Sequence, residues 1–290
     1  MEVPFRLVDV FTDRPFAGNQ LCVVPDAPPL TDEQMLALAR EIGFSETTFV
    51  TEADEHGYAM RIFTPDRELP FAGHPTLGTS FVLASEGRIR SPATQRVEAG
   101  EFRVTVDLDA GIASVRQHPP TFGKIPSDRT AVARAIGLTA SDLHPDLPAQ
   151  TVSTGLSHLI IPVRTPGLVT AARRDGSAIQ ELLAEMGAEG SYLFALTGEG
   201  AKARMFDPGE GIGEDPATGS AAGPLGAYLA ERGAGGLPGR LLIRQGEEIG
   251  RPSVLVVDVS RNGDRWVIDV SGGVRVVGRG AFVLDAEAAP

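Results

Sequence analysis

A glutamate, a histidine and an aspartate have the settings in which side chains do chemistry. Glu46 sits in GFSETTFV, just after the glycine that ends a helical pattern and at the entrance to an apolar run. A carboxylate flanked by Phe44, Phe49 and Val50 is a candidate for the raised pKa that a general acid or base needs near neutral pH. A solvated glutamate at a strand end fits the same residues. His74 follows Gly73 in PFAGHPTLG, and Ser220 follows Gly219 in EDPATGSAAG, with Asp215 just upstream. Each glycine-polar pair opens a stretch of helical length. There the first backbone N–H groups lack helical partners and the helix dipole is positive, so an anion is favoured. Gly73 and Gly219 would let a ligand approach the backbone closely. Plain capping competes with this reading: His74 as a satisfied cap, Ser220 as a capping serine, and Asp215 as an N-cap ahead of Pro216.

The elements that must position these residues show an internal repeat. Arg61 opens RIFTPDRELPFAGHPTLG and Arg204 opens RMFDPGEGIGEDPATGSAAG. Both read Arg, apolar, Phe, x, Pro, then Glu, x, Pro, x, x, Gly and a polar residue, and they lie about half the chain apart. Two homologous domains follow, with a boundary in the Pro, His and Asp-rich region from Gln117 to Ser127. The first domain is expected over residues 1–118, with a strand from about 272 to 290 returning to it. The second covers residues 119–271, and the closing AEAAP is expected to fray. Behind each polar residue runs a charge-free stretch, 74–85 and 216–230. A helix with no polar face is enclosed on all sides, so each half is expected to be a curled sheet around a central helix. Buried connecting helices of an ordinary α+β fold remain the alternative. Paired domains would set the two helix starts face to face as anion cradles.

Short apolar runs bounded by Gly, Pro and Asp predict strands at FRLVDVF, QLCVV, TTFV, YAMRIF, FRVTVDL, HLIIPV, SYLFAL, LLIR, VLVVDV, RWVIDV and VRVV. TDEQMLALAREIG predicts a helix capped by Thr31 or Asp32 and stopped by Gly43, with Gln34 on its exposed side, and SAIQELLAEMG predicts another.

Composition narrows the chemistry. With 26 basic and 38 acidic residues the formal charge is −12, a surface that repels nucleic acid and anionic lipid. Any carboxylate site must therefore be a local device. The single cysteine, Cys22, lies in the apolar LCVV and reads as a core residue, so no internal disulfide forms. No apolar stretch is long enough to span a membrane, and MEVPFRLVDVF lacks signal-peptide character, which points to a cytoplasmic protein. The five histidines show no metal-ligand spacing, and there is no Walker loop, GxSxG or dinucleotide fingerprint. No metal, nicotinamide or flavin is expected.

At these same segments the chain resembles the PhzF family of phenazine biosynthesis. The resemblance lies in DVFTDRPFAGNQLCVV, GFSETTFV, RIFTPDRELPFAGHPTLG, EDPATGSAAGPLGAYL and RQGEEIGRPSVLVV, in order from Asp9 to Val257. It implies an α+β fold of the diaminopimelate epimerase-like kind, two pseudo-symmetric domains, each a curled, mostly antiparallel, barrel-like sheet around a central helix. It implies a homodimer, no cofactor, and isomerisation of a small carboxylated substrate such as trans-2,3-dihydro-3-hydroxyanthranilate. By position Glu46 matches the glutamate that takes and returns the proton. His74 and Asp215 match polar partners of the substrate's amino and developing oxygen groups, and Ser45, Gly73, Gly219 and Ser220 match the substrate pocket. Related epimerases and racemases use two facing thiols, whereas here the loops carry Gly73 and Asp215-Pro216. Family membership leaves the substrate open: a ring isomerase, an isomerase or epimerase of another small amino or hydroxy acid, and a non-catalytic binding protein all fit.

Overall fold

A computed structural model describes residues 1–207 and 213–284. Pro208 of the second repeat copy, and residues 285–290 with the closing AEAAP, lie outside the described residues. The chain divides into two compact units. The first is Met1–Arg116 together with the chain from Ser271 onward, and the second is Gln117–Val270. In the first, the elements run β1 (Glu2–Val10), β2 (Asn19–Val24), α1 (Asp32–Ile42), β3 (Glu46–Asp54), β4 (Gly57–Phe63), β5 (Glu68–Leu69), α2 (Gly73–Ser85), β6 (Ala93–Val97), β7 (Gly100–Asp107) and β8 (Ile112–Arg116). The second continues with β9 (Thr121–Phe122), α3 (Arg129–Ala135), β10 (Gln150–Ser153), β11 (Ser157–Pro162), α4 (Pro166–Ala171), α5 (Gly176–Met186), β12 (Gly190–Thr197), β13 (Gly200–Phe206), β14 (Glu214–Asp215), α6 (Gly219–Glu231), β15 (Gly239–Gln245) and β16 (Ser253–Asn262). β17 (Arg265–Val283) starts in the second unit and ends in the first.

In the first unit β17, β1, β2, β3, β4, β6, β7 and β8 each bond to the next, and β17 pairs with both β1 and β8. The sheet is thus a closed barrel of eight strands, mostly antiparallel, with parallel pairs at β2/β3 and β4/β6. α2 packs against β1, β2, β3, β7 and β8. Its Gly78 is small because a Cβ there would lie 2.6 Å from Leu21 Cδ2. On the other face of the sheet, α1 buries Met35 and Leu38 against Phe49 and Phe63.

The second unit repeats the plan. β10, β11, β12, β13, β15 and β16 form the sheet, with β9 and β14 as short additions. α6 packs against β10, β11 and β16, and a Cβ on its Gly226 would come 2.7 Å from Val257 Cγ1. α3, α4 and α5 cover the outer face, where Val132, Val169 and Ile179 meet Leu159 and Leu193.

The two halves are each built on an enclosed central helix, as the sequence predicts, with Glu231 ending α6 as its one charge. Every residue of α6 from Gly219 to Ala230 is buried, as is the first turn of α2. The repeat's arginine and glutamate turn out to be one ion pair in each copy. Arg61 Nε and Nη2 reach the two oxygens of Glu68 at 2.7 and 2.5 Å, and Arg204 does the same to Glu214 at 2.8 and 2.7 Å. Each guanidinium also stands over the repeat's phenylalanine, Phe63 or Phe206. This bidentate fork ties each β4-like strand to the loop that leads into the central helix.

Several expectations need correction. α6 starts at Gly219, not at 216, because Pro216 to Thr218 form the turn out of β14. RWVIDV and VRVV are one continuous strand, β17. Strands β6, β8, β10 and β13 and helices α3 and α4 lack a pattern strong enough to read from sequence. Gln34 is half-buried rather than exposed, since its side chain closes a capping box with Thr31 (3.0 and 3.3 Å).

Candidate active site

The seven residues singled out from sequence fall into two groups: Ser45, Glu46, Gly73 and His74 in the first unit, and Asp215, Gly219 and Ser220 in the second.

In the first unit, parallel pairing of β2 and β3 sets Leu21 opposite Glu46. Asn19, at the start of β2, and Ser45, just before β3, therefore meet at the same end of the sheet, where α2 begins. The Ser45 hydroxyl donates to Asn19 Oδ1 at 3.1 Å, and Asn19 Nδ2 lies 3.1 Å from His74 Nδ1. With its oxygen taken by Ser45, Asn19 offers its Nδ2 to the ring, and the tautomer that accepts it carries the proton on Nε2. That Nε2 stands 3.4 Å from Glu46 Oε2, beyond ordinary hydrogen-bond length but well within electrostatic reach. Burial pushes the His74 pKa down to about 3, against a smaller opposing effect of the Gln20 backbone carbonyl, so the ring is neutral at physiological pH. Glu46 keeps 15% of its side chain exposed, against 4% for His74. The arrangement is an accessible carboxylate backed by a neutral N–H donor.

The flank expected for Glu46 is only partly found. Successive strand residues face opposite sides of a sheet: Thr48 shares the Glu46 side and bonds Thr79 of α2 at 2.8 Å, whereas Phe49 packs outward with α1. His74, not Phe49, is the ring that faces the carboxylate.

Neither His74 nor Ser220 is a cap. Each is the second residue of its helix, behind Ala72 or Thr218 at the N-cap, and neither cap residue offers a side-chain bond to the helix. The first N–H groups of α2 and α6 are thus left without side-chain caps, a setting that suits an anion. Asp215 is not an N-cap either. It lies in β14 and accepts from the Thr218 hydroxyl at 2.5 Å, which is why Thr218 does not cap.

The second unit holds this loop with residues that sequence reasoning missed. Gln245, buried at the end of β15, donates to the Asp215 carbonyl (2.8 Å) and to Thr218 Oγ1 (3.1 Å), and its Oε1 accepts from Tyr192 Oη at 2.9 Å. Gln117 Nε2 donates to the Gly219 carbonyl at 2.9 Å. His158 of β11 sets Nε2 3.1 Å from Ser220 Oγ, and burial pushes its pKa down to about 3. Gln245 lies within RQGEEIG and Asn19 within DVFTDRPFAGNQLCVV, two segments already marked by the resemblance. His158 carried no signal beyond being a histidine in an apolar strand.

Cys22 is buried, with its thiol pushed up to about 12, so it is inert at neutral pH. Among the described residues no cluster of three or more His, Cys, Asp or Glu is arranged to hold a metal ion, and no helix is long and apolar enough to cross a membrane.

Comparison with known proteins gives a consistent answer. The profile of the family described as phenazine biosynthesis-like protein matches residues 8–286. The chain is 38% identical to an uncharacterized isomerase of Deinococcus radiodurans over 282 residues, 94% of this chain and 92% of that one. It is 34% identical to the trans-2,3-dihydro-3-hydroxyanthranilate isomerase of Pseudomonas chlororaphis over 285 residues, 97% of this chain and 99% of that one. A crystal structure of a PhzF-family phenazine biosynthesis protein from Bacillus anthracis superimposes with a TM-score of 0.88 at 28% identity, covering 98% of this chain and all of that one.

Proposed function

This chain belongs to the phenazine biosynthesis-like family and is an isomerase, and from that premise we propose that it moves one proton within a small carboxylated substrate of the trans-2,3-dihydro-3-hydroxyanthranilate type, with Glu46 as the acid and base. The observation that supports this reading is the approach of Glu46 to a neutral His74 at an uncapped helix start.

Glu46 takes a proton from a substrate carbon. The C–H electron pair passes into the substrate's unsaturated system, and the Glu46 carboxylic acid then returns the proton to another carbon. Because no electrons leave the substrate, the step needs no redox group. The His74 Nε2–H keeps the carboxylate in place and meets polar groups of the substrate. By the family resemblance Asp215 and Ser220 are assigned to its amino and carboxylate groups. Pre-oriented charges in a largely dry setting are worth more than the same charges in water.

The second reading is isomerisation of another small amino or hydroxy acid, because family membership does not fix the substrate. Incubation of the pure protein with trans-2,3-dihydro-3-hydroxyanthranilate in deuterated water separates the two. Isomerisation with one deuterium incorporated supports the first reading. Absence of both turnover and exchange, alongside turnover of another small acid, establishes the second.

A further inference from the structure

The fold places a buried histidine beside the start of each central helix, but by different routes. In the first unit the histidine is a helix residue, His74, with Asn19 on one nitrogen and Glu46 beside the other. In the second unit the helix residue is Ser220, and the histidine stands behind it on β11. That second histidine, 1% exposed, has no part in the proton transfer assigned to Glu46.

Its two nitrogens have unlike surroundings. Nε2 is 3.1 Å from Ser220 Oγ. Nδ1 is buried and, among the described residues, has no hydrogen-bond partner. It faces Gly190, its register partner on β12, where a Cβ would lie 3.7 Å from Nδ1 and 2.1 Å from Met205 Cε. A proton on Nδ1 would be a buried N–H without an acceptor, an arrangement that folded proteins avoid. The proton therefore belongs on Nε2, and the ring, neutral by burial, carries only that one.

The serine follows from this. A hydroxyl has one donor and two acceptor sites, and once Nε2–H occupies an acceptor site the O–H must find another partner. In the other central helix Thr76, Ser80 and Ser85 bond back to the carbonyls of Ala72, Leu77 and Val82, whereas Thr79 meets Thr48 of the sheet. Ser220 follows the second pattern, with His158 of the sheet as its partner. We propose that His158 is a positioning residue whose Nε2–H donates to Ser220 Oγ, fixing the Ser220 O–H as a donor that selects a carboxylate at the start of α6. A pinned O–H donor at the positive end of the helix dipole suits a carboxylate, whereas a carboxamide would turn its own N–H groups toward that donor.

The ligand part of this assignment rests on the reading that Ser220 meets the substrate's carboxylate, while the tautomer part does not. Nitrogen-15 NMR of the full chain with labelled histidine tests the tautomer directly. His158 should show a protonated Nε2 and a bare Nδ1, and Ser220→Ala should move the Nε2 signal. A protonated Nδ1 overturns the proposal. For the ligand, binding of 3-hydroxyanthranilate and of its carboxamide is measured by calorimetry on wild type, His158→Gln, His158→Leu, Ser220→Ala and the His158→Leu/Ser220→Ala double variant. A glutamine amide in place of the imidazole can still donate to Ser220, so His158→Gln should bind within about threefold of wild type, while His158→Leu should lose about tenfold or more, the scale of one hydrogen bond to a charged group. The double variant should match Ser220→Ala alone, since the histidine acts through the serine. The preference for carboxylate over carboxamide should shrink in His158→Leu, and in turnover the loss should appear in KM more than in kcat. Full binding by His158→Leu, or additive losses in the double variant, overturns the proposal. If wild type neither binds 3-hydroxyanthranilate nor isomerises the dihydro compound, the functional reading falls, and the NMR result decides the role of His158 by itself.

Discussion

His74 Nε2 lies 3.4 Å from Glu46 Oε2, and the imidazole that bears it is neutral. A protonated imidazole there would hold the carboxylate as a salt bridge and lower its basicity, whereas a neutral one orients it and leaves it able to take a proton. Glu46→Gln keeps the shape and removes the titration. Turnover should fall by about 10² to 10⁴ or more, with the thermal midpoint nearly unchanged. More than a tenth of wild-type deuterium exchange in this variant would remove Glu46 from the role of base.

Two buried neutral histidines make stability depend on pH. In the folded chain His74 and His158 are both pushed down to about 3 by burial, while an unfolded histidine titrates near 6.5. Between those values the unfolded state binds more protons, so stability rises with pH there. It is fully present above about 6.5 and is lost as pH falls toward 3. Each histidine contributes up to about 1.4 kcal/mol per pH unit in that window. Urea unfolding of wild type and His158→Gln from pH 7 to 5 should show the shallower slope in the variant, and equal slopes would contradict the buried neutral state of His158.

Leu83 and Leu225 are fully buried on the central helices. Glutamate at either position would place an unpaired charge among apolar side chains, at a cost of several kcal/mol. Leu83→Glu and Leu225→Glu should yield insoluble protein. Ala37→Glu on the exposed side of α1 should leave solubility and unfolding midpoint within error. A soluble, folded Leu225→Glu protein would refute the enclosure of α6.

The two repeat ion pairs differ in burial, and their energetics should follow. Arg204 and Glu214 keep 7% and 14% of their side chains exposed, against 29% and 33% for Arg61 and Glu68. Arg204 Nη1 also donates to the carbonyls of Val169 and Ala172. Glu214→Gln strands a buried guanidinium and should cost about 3 to 5 kcal/mol. Glu68→Gln, in the more solvated copy, should cost about 1 kcal/mol. Equal losses in urea unfolding would show that burial does not set the value of these pairs.

What the sequence determined by itself was what repeats or runs continuously along the chain. The Arg, Phe, Glu, Pro and Gly spacing announced two related halves, and two charge-free stretches announced enclosed helices, because a helix without a polar face has only one physical solution. Glu46, His74, Asp215 and Ser220 were legible because they stand at the ends of those patterns. Partners that converge from distant positions were decided only by the tertiary structure. Asn19 reaches His74 because β2 and β3 pair in parallel, and Gln245 reaches Asp215 from the end of β15. Strand alternation likewise turned Phe49 away from the Glu46 side of the sheet. His158 is the clearest case. In sequence it is one histidine in an apolar strand, and only the packing of α6 against β11 sets one of its nitrogens on a serine and buries the other. A hydrogen bond depends on where two atoms meet in space, and that placement comes from strand register and helix packing, which no local pattern of residue types encodes.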